Sequence, residues 1–182
     1  MYKRQHDFCL ELKAGERFES PAILCGYSDC GFETMSHRLH CFANDFILSE
    51  GFRPVLYNSW EATEFGVTCE EQKKLAKKAK ELGAELFVVD DGWFGERNGI
   101  HNGLGDWYVN EKKFPNGIDE LIREVKSLGM MFGIWVEPEM VNPPTKLFAE
   151  HPDWIYHFDT RTSDTSRGQY VLDPVSYTHL TL

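Results

Sequence analysis

The sequence predicts an α/β protein whose larger part is a partial (β/α)8 TIM barrel, first strands only, and three observations carry that reading. From Arg53 onward, strand-like and helix-like segments alternate, which is how βα units and a parallel sheet are written. No G-x-G-x-x-G follows the first strand; Ser59-Trp60-Glu61 stands there instead, so a dinucleotide-binding sheet loses its main support. Aromatic and acidic residues stand together at the exits of three successive strands, the end of a barrel at which ligands bind. A whole barrel needs about 250 residues and eight strands, whereas about four βα units fit after Arg53, so the sequence is expected to be incomplete.

Residues 8–28 alternate in strand fashion through Phe8, Leu10 and Leu12, a turn at Lys13-Ala14-Gly15-Glu16, then Phe18 and Ala22-Ile23-Leu24. Antiparallel β structure is expected there. Residues 34–50 place Met35, Leu39, Phe42 and Phe46 at three- and four-residue steps, as one helix face does. Pro54–Asn58 reads as the first barrel strand. Thr68 caps a helix over Cys69–Leu82 that stops at Gly83, and its Lys- and Glu-rich face is the wet side of a barrel helix. Glu85–Val89 is the second strand, 90–115 a long loop, Ile118–Leu128 the next helix and Met130–Trp135 the third strand. Pro143-Pro144 opens a short helix ending near His151-Pro152, Trp154–Tyr156 is a short strand, and Tyr170–Leu172 a fourth buried strand.

Composition bounds the function. With 42% hydrophobic and 14% aromatic residues the 182-residue chain is expected to fold. A net charge of −10, spread along the chain, argues against nucleic acid and anionic membranes as partners. No apolar run approaches the roughly 20 residues of a membrane helix, and the N-terminus lacks a signal-peptide pattern. Five cysteines, odd in number and without a C-x-x-C pair, read as reduced thiols in a cytoplasmic protein. His37 and His40 lack a third nearby ligand, so no metal is expected.

The first strand leaves through Trp60-Glu61, the second through Asp90-Asp91-Gly92-Trp93-Phe94 and the third through Trp135, Glu137 and Glu139. Rings beside carboxylates suit a neutral sugar, which offers apolar C–H faces and hydroxyl pairs that donate to carboxylate oxygens. Adjacent strand residues point to opposite faces, so Asp90 and Asp91 reach one ligand only if the chain turns, which Gly92 permits. Each piece alone has a plainer reading. A single tryptophan fits a core, Asp-Asp-Gly is an ordinary turn, the two glutamates suit a helix start or a lysine partner, and Arg167 sits in what reads as a polar surface loop.

Five segments taken together, Arg53-Pro-Val-Leu-Tyr-Asn-Ser-Trp-Glu-Ala62, Leu86-Phe-Val-Val-Asp-Asp-Gly-Trp-Phe94, Leu104-Gly-Asp-Trp107, Phe132-Gly-Ile-Trp-Val-Glu-Pro-Glu-Met140 and His151-Pro-Asp-Trp154, resemble the α-galactosidases of glycoside hydrolase family 36 in order and spacing, over residues 8 to 173. The resemblance implies that residues 1–30 are the terminal strands of an N-terminal β-supersandwich domain, 31–52 a linker helix and 53–173 the start of the catalytic barrel. Residues 174–182 do not match the pattern and read as a foreign tail. It further implies that Trp60, Asp90, Asp91, Trp135 and Arg167 hold a galactosyl group, the aspartates taking its 4- and 6-hydroxyls, the tryptophans walling the pocket and Arg167 entering before the fourth strand.

The implied reaction is retaining hydrolysis by two carboxylates about 5 to 5.5 Å apart, without metal or organic cofactor. Both catalytic aspartates of the family would lie beyond Leu182, so no catalytic residue is assigned, Glu137 and Glu139 included, and the chain by itself is expected to be inactive. The implied substrates are raffinose- or melibiose-like α-galactoside oligosaccharides, and the full-length protein is expected to form a homo-oligomer. The alternatives are an α-N-acetylgalactosaminidase, a transglycosylase, or a carbohydrate-binding half-barrel without chemistry.

Overall fold

The computed structural model describes residues 10–47, 51, 53–156 and 167–173. The chain falls into two compact units, Met1–Gly51 and Phe52–Leu182. In the first, helix α1 (Gly31–Phe42) runs on into a π-helical turn, Ala43–Ile47, and Phe42 stacks on Phe46 with ring centroids 5.1 Å apart. The antiparallel strands expected over 8–28 are not formed among the described residues. Residues 10–28 contain only the turn in which Glu16 N donates to Lys13 O at 3.0 Å, and Leu10, Leu12 and Phe18 are exposed. Alternation becomes a strand only when a neighbour takes its N–H and C=O groups, and the described part of this unit offers no such neighbour.

The second unit is built on a parallel sheet of β1 (Leu56–Asn58), β2 (Leu86–Val89) and β3 (Met131–Ile134) in the order β1-β2-β3. The registers Tyr57↔Phe87 and Phe87↔Phe132 line up three aromatic side chains on one face. A single-turn helix α2 (Trp60–Thr63) leaves β1, and α3 (Cys69–Glu81) and α4 (Asp119–Ser127) make the two crossovers. Thr68 caps α3 as its sequence predicts, accepting from Glu71 N. Ala76 and Ala79 of α3, with Leu121 and Val125 of α4, meet Phe87 and Val89 in the core, all nearly inaccessible to solvent. Lys73–Glu120 and Lys77–Glu124 ion pairs tie the two helices side by side. The opposite sheet face carries Leu56, Leu86 and Met131 in register, and Leu56 and Met131 remain exposed.

Residues 90–115 make a second, aromatic core rather than a loose loop. Phe94, Leu104 and Phe114 are fully buried, and Phe94 bridges antiparallel to Val109. Two C-terminal expectations are corrected. Tyr170–Leu172 does not join the parallel sheet: β5 (Tyr170–Val171) pairs antiparallel with β4 (Met140–Val141), beside a hydrogen bond from the buried Asn142 Nδ2 to Gly168 O. Trp154 ends a 3₁₀ turn, Pro152–Trp154, and the short strand reduces to one bridge, Ile155↔Leu172. Helix α5 (Lys146–Glu150) starts after the two prolines because Thr145 Oγ1 accepts from Phe148 N while the Asp106 carboxylate accepts from Lys146 N and Leu147 N. The tail 174–182 lies outside the described residues.

Candidate functional site

The C-terminal ends of β1, β2 and β3 open on one cavity of about 700 Å³, within the range of small-molecule sites. Trp60, Asp90, Asp91, Trp135 and Arg167 all line it. The five residues singled out from the sequence therefore share a single hollow, although they span more than a hundred positions of the chain.

Their placement follows from the strand ends. Asn58, the last residue of β1, donates from Nδ2 to Asp90 Oδ2 at 2.5 Å, and its Oδ1 accepts from Trp60 N at 2.8 Å. One short amide thus fixes both the first carboxylate and the turn that presents the first tryptophan. Ser59, fully buried, accepts from Asp90 N at 3.1 Å, and Asp90 Oδ1 accepts from Asp91 N at 2.7 Å. The chain then turns at Gly92, whose φ is +101° and whose absent Cβ would stand 3.0 Å from the Phe65 backbone. The turn permits what alternation forbids, and both aspartates face the cavity.

The two carboxylates are not equivalent. Asp91 is 5% exposed and is gripped by Arg97, 2% exposed, whose Nε donates at 2.9 and 3.1 Å and whose Nη2 donates at 2.7 Å. This is a bidentate, buried ion pair. Asp90 is half-buried and is bonded only by neutral donors, which leaves lone pairs free toward the cavity. Arg97 also lies 5.1 Å from the Phe65 ring centroid and donates to Asn102 O.

Trp135 is half-buried and is set by aromatic neighbours: the Phe94 ring stacks near-parallel to it at 6.4 Å and Trp107 meets it edge-on at 6.3 Å. Trp93 belongs to the core instead, 6% exposed, with Nε1 donating to Trp135 O at 2.9 Å. Trp60 meets Phe65 edge-on at 5.1 Å. Two indole rings at different strand exits therefore bound the hollow.

Three residues that the sequence did not single out hold this arrangement. Lys113 Nζ donates to Phe65 O, Gly92 O and Arg97 O at 2.7–2.8 Å, and burial pushes its pKa down. Arg97 and Asn58 are the others. Nothing in a lone Lys or Arg of a polar loop marks it as buried; only the strand-end position of Asn58, two residues before Trp60, carried a readable signal.

Glu137 also lines the cavity, and among the described residues nothing donates a hydrogen bond to it. Burial raises its pKa, Glu139 and Asp91 push the same way, and Arg97 and Arg167 pull it back down. A raised folded-state pKa contributes stability that is present below the ordinary value of 4.5 and is lost as pH climbs through the folded value. Glu137→Gln is therefore expected to be more stable than wild type at neutral pH, with the difference shrinking as pH falls toward 4.5. Thermal melts of both proteins across that window check it.

Cys69, Glu70 and Glu120 bring three ligand atoms within 4.8 Å of one another on the helical side of the unit. Lys73 already fills the cationic place among them, bonded to Glu120 and to Glu70, and the pair of carboxylates raises its pKa. The donor set is that of an ion-pair cluster rather than a metal centre.

Comparison with known proteins supplies a second line. The profile of the Melibiase family matches residues 17–179. Alpha-galactosidase AgaA of Geobacillus stearothermophilus is 46% identical over 171 residues, 92% of this chain and 24% of that protein. Alpha-galactosidase Mel36A of Lactobacillus acidophilus is 43% identical over 172 residues, again 92% and 24%. A crystal structure of a variant of the Geobacillus AgaA in complex with stachyose superposes with a TM-score of 0.73 at 46% identity, covering 81% of this chain and 21% of that one. The chain thus spans about a quarter of the length of the curated relatives it matches.

Proposed function

The chain belongs to the Melibiase family, and from that membership we propose that it forms the galactosyl-binding portion of a retaining α-galactosidase acting on terminal α-galactosyl groups of oligosaccharides. The observation that carries the reading is the shared cavity of Trp60, Asp90, Asp91, Trp135 and Arg167. Two rings offer apolar surface to the sugar's C–H face, and Asp90 presents free lone pairs to one of the 4- and 6-hydroxyls. Asp91, held by Arg97, takes the second hydroxyl with the lone pairs the guanidinium leaves over. Arg167, exposed at the far side, donates to a ring or hydroxyl oxygen.

Parallel strands in sequence order, with α3 and α4 packed side by side, support the reading of β1–β3 as one wall of a (β/α)8 barrel. The apolar face bearing Leu56, Leu86 and Met131 is then the barrel interior. The same reading makes 31–52 a linker helix, and 1–30 the end of a β-supersandwich. Oligosaccharide substrates are supported by the stachyose bound in the structure of the AgaA variant. The free thiols of Cys25, Cys30, Cys41 and Cys69 fit a cytoplasmic protein.

The test is hydrolysis of a chromogenic α-galactoside, set against its α-glucoside and β-galactoside counterparts, by the full-length protein that carries this segment. Turnover confined to the α-galactoside is expected. Equal turnover of the α-glucoside would overturn the assignment.

A further inference from the structure

We infer that Asn142 is a positioning residue of the sugar site: its buried amide joins the Asp91–Arg97 pair to the Arg167 segment and so sets the spacing of two walls of the cavity. The inference rests on Arg167 belonging to that site. Asn142 is fully buried, and all four of its hydrogen-bonding positions are used. Its Oδ1 accepts from Arg97 Nη1 at 3.1 Å and from Leu104 N at 3.0 Å. Its Nδ2 donates to Ile100 O at 3.2 Å and to Gly168 O at 3.3 Å.

Arg97 grips Asp91 through its other nitrogens, so one guanidinium and one amide connect Asp91 to Gly168, the residue beside Arg167. Two further ties run parallel to it, His101 Nδ1 with Arg167 O at 3.1 Å and Gln169 Nε2 to Ile100 O at 3.4 Å. Among the described residues the Arg167 guanidinium makes no ion pair, so its place at the cavity follows from where its backbone is held. A buried amide with every position filled has one orientation, which makes it a rigid spacer rather than an adaptable contact.

Asn142→Asp tests this with little change of shape. It keeps an oxygen for Arg97 and Leu104 but turns a second oxygen toward the carbonyls of Ile100 and Gly168, which repels the Arg167 segment. Binding of methyl α-galactoside is read from the tryptophan fluorescence of the 182-residue chain in wild type, Asn142→Asp, Arg167→Ala and the double variant. If Asn142 acts through Arg167, each single change weakens binding about tenfold and the double is within about threefold of the weaker single. Losses that multiply would mean that Asn142 acts on binding independently of Arg167, and the inference is then wrong while the site reading stands. An Arg167→Ala variant that binds as wild type does would remove Arg167 from the site and take the inference with it. Where Asn142→Asp does not fold, Gly168→Ala replaces it: φ is +61° there and the new Cβ would lie 3.3 Å from His101 Nδ1, so the same segment is displaced with Asn142 intact. The same non-additivity with Arg167→Ala is expected, and its absence overturns the inference.

Discussion

Replacing Arg97 by methionine is expected to destabilise the Phe52–Leu182 unit by about 3–5 kcal/mol, because it leaves the Asp91 carboxylate buried without its partner. The cost is large for two reasons. The pair is closed on both sides, with 3% and 7% of the two side chains exposed, so water does not replace the guanidinium. The same guanidinium also serves Asn102 O and Asn142 Oδ1, so three segments lose a common anchor. Urea unfolding of the two proteins measures the difference. A loss under about 1 kcal/mol, the size of an exposed ion pair, would show that the pair is solvated and that the 90–115 region is not the rigid second core described above.

Asp90→Ala is expected to behave in the opposite way, with little loss of stability and a large loss of binding. Asp90 is half-buried, and its donor Asn58 Nδ2 belongs to an exposed residue of the cavity lining, where water can take the place of the carboxylate. A hydrogen bond between a sugar hydroxyl and a charged carboxylate contributes about 1.5–3 kcal/mol, so affinity for an α-galactoside should fall by at least about tenfold. The stability change should stay within about 1 kcal/mol. Unchanged affinity would move the sugar away from the β2 exit. Asp91→Asn is the poorer probe of the same site, because it disturbs the Arg97 pair along with any ligand contact.

The parts of this molecule that were legible in its sequence are those set by local periodicity and capping. Thr68 and Gly83 frame α3, Gly129 closes α4, and the apolar runs at 85–89 and 130–135 contain β2 and β3, because the signals lie within each segment. The antiparallel pairing of β4 with β5 was not legible, since it joins segments far apart in the chain, Met140 to Val171 and Val141 to Tyr170. The strands expected over 8–28 are not formed among the described residues for a related reason: alternation reports a face but never the partner strand. At the cavity, the aromatic and acidic residues at strand exits were readable from their positions. The role of Arg97 was not, because a loop arginine carries no mark of burial, and the inequality of Asp90 and Asp91 follows entirely from it.

The most direct measurement is a fluorescence titration of the chain with methyl α-galactoside and, separately, with methyl α-glucoside, which differ only at the 4-hydroxyl. Trp60 and Trp135 line the cavity, so occupancy by galactose should give a saturable change that is largely lost in the Trp60→Phe, Trp135→Phe double variant. The glucoside, with its 4-hydroxyl turned away from the aspartates, should give at least about tenfold weaker binding. Equal responses to the two sugars, or a galactoside response that survives loss of both tryptophans, would contradict a galactosyl site between these strand ends.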